Sequence, residues 1–175
     1  MPLISNSTAI ISMIAIIMGV SGSGKSTIGE GLAEATGGEF FDGDDFHPQA
    51  NIEKMHAGHP LTDEDRLPWL ERLRQLIEDQ EVKGKPTFIA CSALKKSYRL
   101  ILEGDGDPAV KFVFLEGSFA LIKERLDTRK GHFMPESLLQ SQFDALQAPE
   151  DAITADISQT PDAIIKELGA KLGLA

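Results

Sequence analysis

Cysteine is almost missing from this chain. Cys91 is the only one among 175 residues, so an internal disulfide framework is excluded, and no Cys/His spacing resembles a structural zinc site. A lone thiol fits a reducing compartment, and a cytoplasmic setting is expected. Positive charge is scarce as well: no Lys or Arg precedes Lys25, and the apolar stretch 3–20 is interrupted by Ser5, Asn6, Ser7, Thr8 and Ser12. That argues against both a secretory signal and a membrane span. Over the whole chain 17 basic residues face 27 acidic ones, a net charge of −10, which repels polyphosphate backbones and argues against nucleic acid or an anionic membrane as partner. Internal repeats and low-complexity tracts are absent. What is there is ordinary globular material, 42% apolar and 25% charged, in a length suited to one domain. Residues 1–12 read as an extension and 13–175 as a single domain.

Hydrophobic periodicity alternates between strand and helix along the chain. A dense apolar run predicts a strand over 13–18, buried on both faces, whose 14–18 part feeds a glycine-rich turn. Ile28, Leu32 and Ala35 share one face of a helix over 25–36 that Gly37 and Gly38 terminate. A short strand over 39–41 follows. Leu67, Leu70, Leu73 and Ile77 predict an amphipathic helix over 67–80, with Pro68 in its first turn. Further strands are expected over 87–91, 111–115 and 153–157. Ser118 can cap a helix running to Arg129, while Leu139, Phe143 and Leu146 mark another, and 161–172 a last one. Five strands separated by helices imply an α/β fold, a parallel sheet covered on both faces with ligands at its carboxyl ends.

The strongest chemical signal is Gly19-Val20-Ser21-Gly22-Ser23-Gly24-Lys25-Ser26, which fits G-x-x-x-x-G-K-[S/T] at every fixed position. An apolar strand precedes it and an amphipathic helix follows, so backbone N–H groups and a helix N-terminus can surround nucleotide phosphates. Lys25 would meet the β- and γ-phosphates, the Ser26 hydroxyl would ligate magnesium, and Thr27 would add an α-phosphate contact.

Such a cradle serves GTPase switches, ATP motors and small-molecule kinases alike. No N-K-x-D guanine signature occurs, and the strand over 87–91 ends in Cys91-Ser92-Ala93 rather than in the acid of many motor ATPases. The acid lies after the second strand, in Asp42-Gly43-Asp44-Asp45. On an extended segment Asp42 and Asp44 project to the same side. One can orient magnesium or its waters while the other takes the proton of an attacking hydroxyl or aligns it with the γ-phosphate; the bland alternative is a solvated turn.

From here the residues resemble a known family. Asp42-Gly43-Asp44, His47-Pro48, Asn51-Ile52-Glu53-Lys54-Met55, Gly58, Pro60-Leu61, Asp63, Asp65-Arg66 and Pro68-Trp69-Leu70 are similar to a block of the bacterial-type gluconate kinases. So are Cys91-Ser92-Ala93-Leu94-Lys95-Lys96 with Tyr98-Arg99, Arg129-Lys130-Gly131-His132-Phe133, and Gln142-Phe143 with Leu146-Gln147. The resemblance covers about residues 13–172. It implies a three-layer αβα P-loop kinase with a five-stranded parallel sheet, related to shikimate kinases. ATP, magnesium and D-gluconate are then the expected ligands, 6-phospho-D-gluconate the product, and a homodimer the expected assembly. A substrate-binding helical insert would span 51–80 and a lid 125–136.

A sugar acid needs a cation for its carboxylate, because an unpaired charge taken out of water is costly. Between residues 82 and 102 stand Lys83, Lys85, Lys95, Lys96 and Arg99 with no Asp or Glu. Arg66 matches the place of an anion-binding arginine in the related shikimate kinases. The expected substrate set is therefore Asp44, Arg66, Lys95 and Arg99, with His47, Lys54, Ser92 and His132 around it. Arg125 and Arg129, one helical turn apart, are expected on the nucleotide, Arg125 near adenine and Arg129 on phosphate oxygens. Lys25, Asp44 and Arg129 form the expected catalytic set, and Asp42 is expected to hold magnesium through water. Trp69 reads as a packing anchor and Cys91 as inert. A kinase for another sugar acid or a shikimate-like acceptor, and a nucleotide-dependent switch with no acceptor, are the rival readings.

Overall fold

The computed structural model describes residues 12–129 and 135–174. The expectations for residues 1–11, and for Lys130 and His132 within the 125–136 segment, lie outside the described residues. In chain order the elements are β1 (Ile14–Met18), α1 (Lys25–Thr36), β2 (Glu39–Asp42), a 3-10 turn (Gly43–Phe46), α2 (Gln49–His56), α3 (Asp63–Glu81), β3 (Thr87–Ala90), α4 (Lys96–Leu102), β4 (Val110–Glu116), α5 (Phe119–Thr128), α6 (Glu136–Ala145), β5 (Ile153–Asp156) and α7 (Pro161–Lys171). All neighbouring strands pair in parallel, in the order β2-β3-β1-β4-β5.

β1 lies at the centre of the sheet and is buried along its length. Its side chains alternate between two cores, as the period of two demands. Ala15 and Ile17 join Ile28 and Leu32 of α1, Ile122 and Leu126 of α5, and Ile164 and Leu168 of α7. Ile14, Ile16 and Met18 join Trp69, Leu70, Leu73 and Ile77 of α3 with Tyr98 and Leu102 of α4. The result is three layers, with β1 between β3 and β4 and the change of direction in strand order beside it, the place where ligands of such sheets bind at the carboxyl ends. No helix among the described residues is long and apolar enough to cross a membrane.

Three local expectations change. Helix α3 starts four residues before the apolar stripe does, at Asp63. The Thr62 hydroxyl accepts from Asp65 N at 3.1 Å and the Asp65 carboxylate accepts from Thr62 N at 2.8 Å, a reciprocal cap that fixes the start and leaves Pro68 inside the helix. Asp42 and Asp44 do not share an extended segment, because β2 ends at Asp42 and the chain folds at once into the 3-10 turn. The basic residues of 82–102 do not form one patch: Lys83 and Lys85 precede β3 at the amino edge of the sheet, whereas Lys95 and Arg99 follow it at the carboxyl edge.

Candidate active site

The loop 19–24 leaves β1 and delivers the chain into α1 through Gly24, whose φ of 93° is left-handed. No side chain caps α1 among the described residues, so the first-turn N–H groups depend on another acceptor. Lys25 Nζ turns back onto the carbonyls of Gly19 at 3.1 Å and Val20 at 3.0 Å. Ser23 Oγ is buried and has no hydrogen-bond partner among the described residues. Ser26 and Thr27 are exposed on the first turn. A lysine donating only to its own loop, an orphaned hydroxyl and an uncapped terminus fit a phosphate chain.

Beside this loop stands the acidic turn. Asp42 Oδ1 accepts from Asp44 N at 3.0 Å. Gly43 between them packs so closely on β3 that a β-carbon would lie 2.5 Å from the Ala90 carbonyl oxygen, so no side chain fits. Its own carbonyl accepts from Trp69 Nε1 at 2.8 Å. Trp69 in turn stacks on His47, ring centroids 4.2 Å apart, and Asn51 Nδ2 lies 3.2 Å from His47 Nδ1. The tryptophan is thus the packing anchor expected of it and also a tie that sets the height of the acid pair, a role that its apolar periodicity did not reveal. Asp44 itself points outward, its side chain 84% exposed.

Charge couples the two parts. Burial lowers the Lys25 pKa, opposed by the Asp44 and Asp42 carboxylates. The partial loss of water around the turn raises that of Asp44 even though its side chain reaches solvent, and the Asp42 charge adds to it while Lys25 opposes; with the carboxyl so exposed, the Asp42 charge is the firmer of the two causes. A carboxylate with raised proton affinity next to a phosphate loop is suited to accept a hydroxyl proton. Burial and the Arg66 charge lower the His47 pKa, which keeps its ring neutral near pH 7.

Across the cleft, Arg66 Nη1 donates to Leu61 O at 2.7 Å and to the Tyr98 hydroxyl at 3.3 Å. The Arg66 guanidinium and the Lys95 ammonium each stand 5.6 Å from the Tyr98 ring centroid. Lys95 also pairs with Asp63 at 3.1 Å, and Tyr98 donates to the same carboxylate at 2.5 Å. The structure thus brings Arg66 and Lys95 together, with Tyr98 and Asp63 as members that the sequence reading had only as family matches.

Arg99 departs from expectation. It is 7% exposed, and its guanidinium donates to the carbonyls of Ala93 at 2.7 Å, Leu94 at 3.2 Å and Gln147 at 2.7 Å. A cation committed to three carbonyls, two of them buried, holds the 92–95 loop, which includes Ala93 in the left-handed region at φ 44°, instead of offering an open carboxylate site. Ser92 in that loop accepts from Gly19 N through its carbonyl at 3.3 Å. Lys54 likewise is engaged by Asp65 at 2.5 Å, within the α3 cap, and His47 is buried in the stack on Trp69. Arg125 donates to the Ile157 carbonyl, beside a hollow lined by Glu116, Gly117, Ser118, Leu121, Asp156 and Ser158. Arg129 caps α5, is exposed, and its charge reaches Lys25. Cys91 is buried and its thiol is pushed up to about 12 by burial, so it is inert as expected.

No group of three or more His, Cys, Asp or Glu among the described residues is arranged to hold a metal alone. The hard oxygens of Ser26 and Asp42 fit a cation of the kind that brings phosphates and waters as its remaining ligands.

A phosphate loop with an acidic turn beside it, at the carboxyl ends of a five-stranded parallel sheet, defines a P-loop kinase of the small-molecule type. A family profile described as "AAA domain" matches residues 14–149. The thermosensitive gluconokinase of Escherichia coli (strain K12) is 50% identical over 147 residues, 82% of this chain and 78% of that protein. A gluconokinase structure from Sinorhizobium meliloti 1021 superposes with a TM-score of 0.80 at 44% identity, covering 94% of this chain and 93% of that one. The chain belongs to the gluconokinase family. Shikimate kinase from Aquifex aeolicus vf5 shares the fold at 18% identity, with a TM-score of 0.60 over 92% of this chain and 96% of that one.

Proposed function

We propose that this chain transfers the γ-phosphoryl group of ATP to the terminal hydroxyl of D-gluconate, giving 6-phospho-D-gluconate and ADP. The observation that carries the reading is the Asp44 carboxyl, open to solvent yet electrostatically coupled to Lys25 of the phosphate loop. Membership of the gluconokinase family supplies the acceptor. The acceptor oxygen bonds to the γ-phosphorus as the bond to the β–γ bridging oxygen breaks, and the hydroxyl proton passes to Asp44. Lys25 and Arg129 offset charge on the transferring group, and residues 19–27 bind the phosphates. Arg66 and Lys95 receive the gluconate carboxylate, with Ser92 and His132 contributing further contacts. His47, Lys54 and Arg99 act from behind, through Trp69, Asp65 and the 92–95 loop. Arg125 forms one side of the adenine site.

Magnesium is the divalent ion of this reading: Ser26, and Asp42 through water, would hold it, and it would supply positive charge for the phosphate oxygens. The reading includes residues 13–175 as one domain, with a substrate region at 51–80 and a lid at 125–136. It also includes a homodimer, a cytoplasmic setting and no nucleic-acid partner; the lone cysteine and the net charge of −10 support the last two.

Mass spectrometry of the products from ATP with gluconate, other sugar acids and shikimate as separate acceptors tests the proposal. Equal amounts of ADP and 6-phosphogluconate are expected. ADP without a phosphorylated acceptor, or a product from another acceptor only, would overturn it.

A further inference from the structure

The segment 142–147 touches both halves of the cleft, and none of the residues assigned above explains why. At one end the Gln142 side chain makes a two-point clasp on the phosphate loop. Its Oε1 accepts from Ser21 N at 2.7 Å, and its Nε2 donates to Ser21 Oγ at 3.0 Å. Next to that clasp, Gly22 packs on α5 so tightly that a β-carbon would lie 2.8 Å from Leu126 Cγ. Five residues further on, Gln147 grips the acceptor side. Its Oε1 accepts from Lys96 N at 2.7 Å, its N–H donates to Leu94 O at 2.8 Å, and its carbonyl accepts from Arg99 Nη2 at 2.7 Å. Between the two ends Leu146 N donates to Gln142 O at 3.0 Å, so the connection is short and hydrogen-bonded internally.

We propose that 142–147 is a strut that fixes the separation of the phosphate loop from the 92–96 loop, with Gln142 and Gln147 as positioning residues for phosphoryl transfer. In-line transfer depends on the gap between donor phosphorus and acceptor oxygen, and a misplacement of about 1 Å costs on the order of a hundredfold in rate. Uncharged amides suit the task. They hold backbone N–H groups without adding charge beside the phosphates, and neither end changes protonation as the reaction proceeds. The buried Arg99 belongs to the same device, since it ties the far end of the strut to Ala93 and Leu94. A strut attached at one end does nothing, so the two ends must act together.

The inference rests on the kinase reading above, and the tests separate the two. Gln142→Met and Gln147→Met keep side-chain bulk; the first removes both bonds to Ser21, the second removes the bond from Lys96 N and leaves the backbone bonds of Gln147 to Leu94 and Arg99 in place. Each should lower kcat roughly tenfold while KM for ATP and for gluconate stays within about twofold. The double variant should be no slower than the slower single variant, a non-additivity expected only if the ends are coupled. Gln147→Glu retains the acceptor for Lys96 N and should restore kcat. Independent of any acceptor, hydrogen exchange at the Ser21 amide should accelerate in Gln142→Met. Unchanged kcat in either Met variant, multiplicative loss in the double variant, failure of Gln147→Glu to rescue, or an unaltered Ser21 amide would each overturn the strut. Wild-type protein that forms no phosphorylated gluconate would overturn the acceptor instead, and the exchange experiment would still decide the clasp.

Discussion

Lys25 and Arg74 are both cations at an end of the same parallel sheet, but their surroundings differ. Lys25, at the carboxyl ends, donates to two carbonyls of its own loop, and next to it stand an orphaned Ser23 hydroxyl, an uncapped α1 and an outward-pointing Asp44. Arg74, at the amino ends, is held by Glu78 at 3.2 Å, Asp107 at 3.1 Å and the Leu102 carbonyl at 2.9 Å, with Glu81 at 4.0 Å. Asp107 also accepts from Ala109 N at 2.9 Å. The charged groups around Arg74 at the amino edge pair with one another, although Glu81 Oε1 is left without a hydrogen-bond partner among the described residues; those at the carboxyl edge are positioned by backbone and packing and left to meet a ligand. The chain's net charge of −10 therefore says little about this end of the sheet, where Arg66 and Lys95 flank Tyr98 and the Arg129 charge reaches Lys25. It also follows that substitutions at the carboxyl edge should cost activity, and those at the amino edge stability.

Lys25→Ala is the severest test. Loss of the one ammonium of the phosphate loop should lower kcat/KM by about 10²–10³-fold. Because burial already disfavours that charge, the melting temperature should hold or rise. A calorimetric scan showing strong destabilisation would break the contrast. Asp44→Asn should lower kcat by about 10²-fold with little change in KM for ATP, since the variant keeps the turn's shape and loses the proton acceptor. Near-normal turnover would remove Asp44 from the chemistry.

How much of this was legible depended on what kind of force set each feature. β1 was read to within one residue because a run of Ile and Met has one stable location in a parallel sheet, and α1 with its bounds because glycines bound it at both ends. The start of α3 was missed because it is set by the Thr62–Asp65 cap, while the apolar stripe begins only at Leu67. α4, of seven residues, is too short for a period to show. At the site the glycine loop and the acid pair follow from local spacing. Whether an arginine faces ligand or backbone does not: Arg66 and Arg99 both sit in polar motifs, and only tertiary packing buries the second under Gln147. Gln142 carries no charge and no periodicity; the sequence had it only as part of a family match, and its contact with Ser21 is what gives it a role.

The amino edge supplies the smaller effects. Arg74→Met removes the cation that holds Asp107 and Glu78 and should cost about 2–3 kcal/mol, less than a fully buried pair because the edge is partly open to water. Catalytic constants measured well below the melting temperature should stay near wild type. A large loss of kcat with unchanged stability would mean that the two edges are coupled through α3, and the contrast would fail.

Glu81 gives the finest test. Burial, then the neighbouring Asp107, pushes its carboxyl from the ordinary 4.5 up to about 7, and its Oε1 is buried with no hydrogen-bond partner among the described residues. Asp107 moves the opposite way, lowered by its hydrogen bonds to Glu81, Ala109 and Arg74 in spite of burial. A single proton held between the two carboxylates accounts for both directions. The folded protein keeps that proton where the unfolded chain has already released it. The resulting stabilisation is complete below pH 4.5 and is lost as pH rises through about 7. Glu81→Gln, which cannot ionise, should remove this slope: between about pH 5 and pH 8 the wild-type melting temperature should fall a few degrees more than the variant's. Parallel curves would place the proton elsewhere. At pH 8 the variant should turn over at the wild-type rate, because this proton sits at the far end of the sheet from Asp44 and does not enter the reaction.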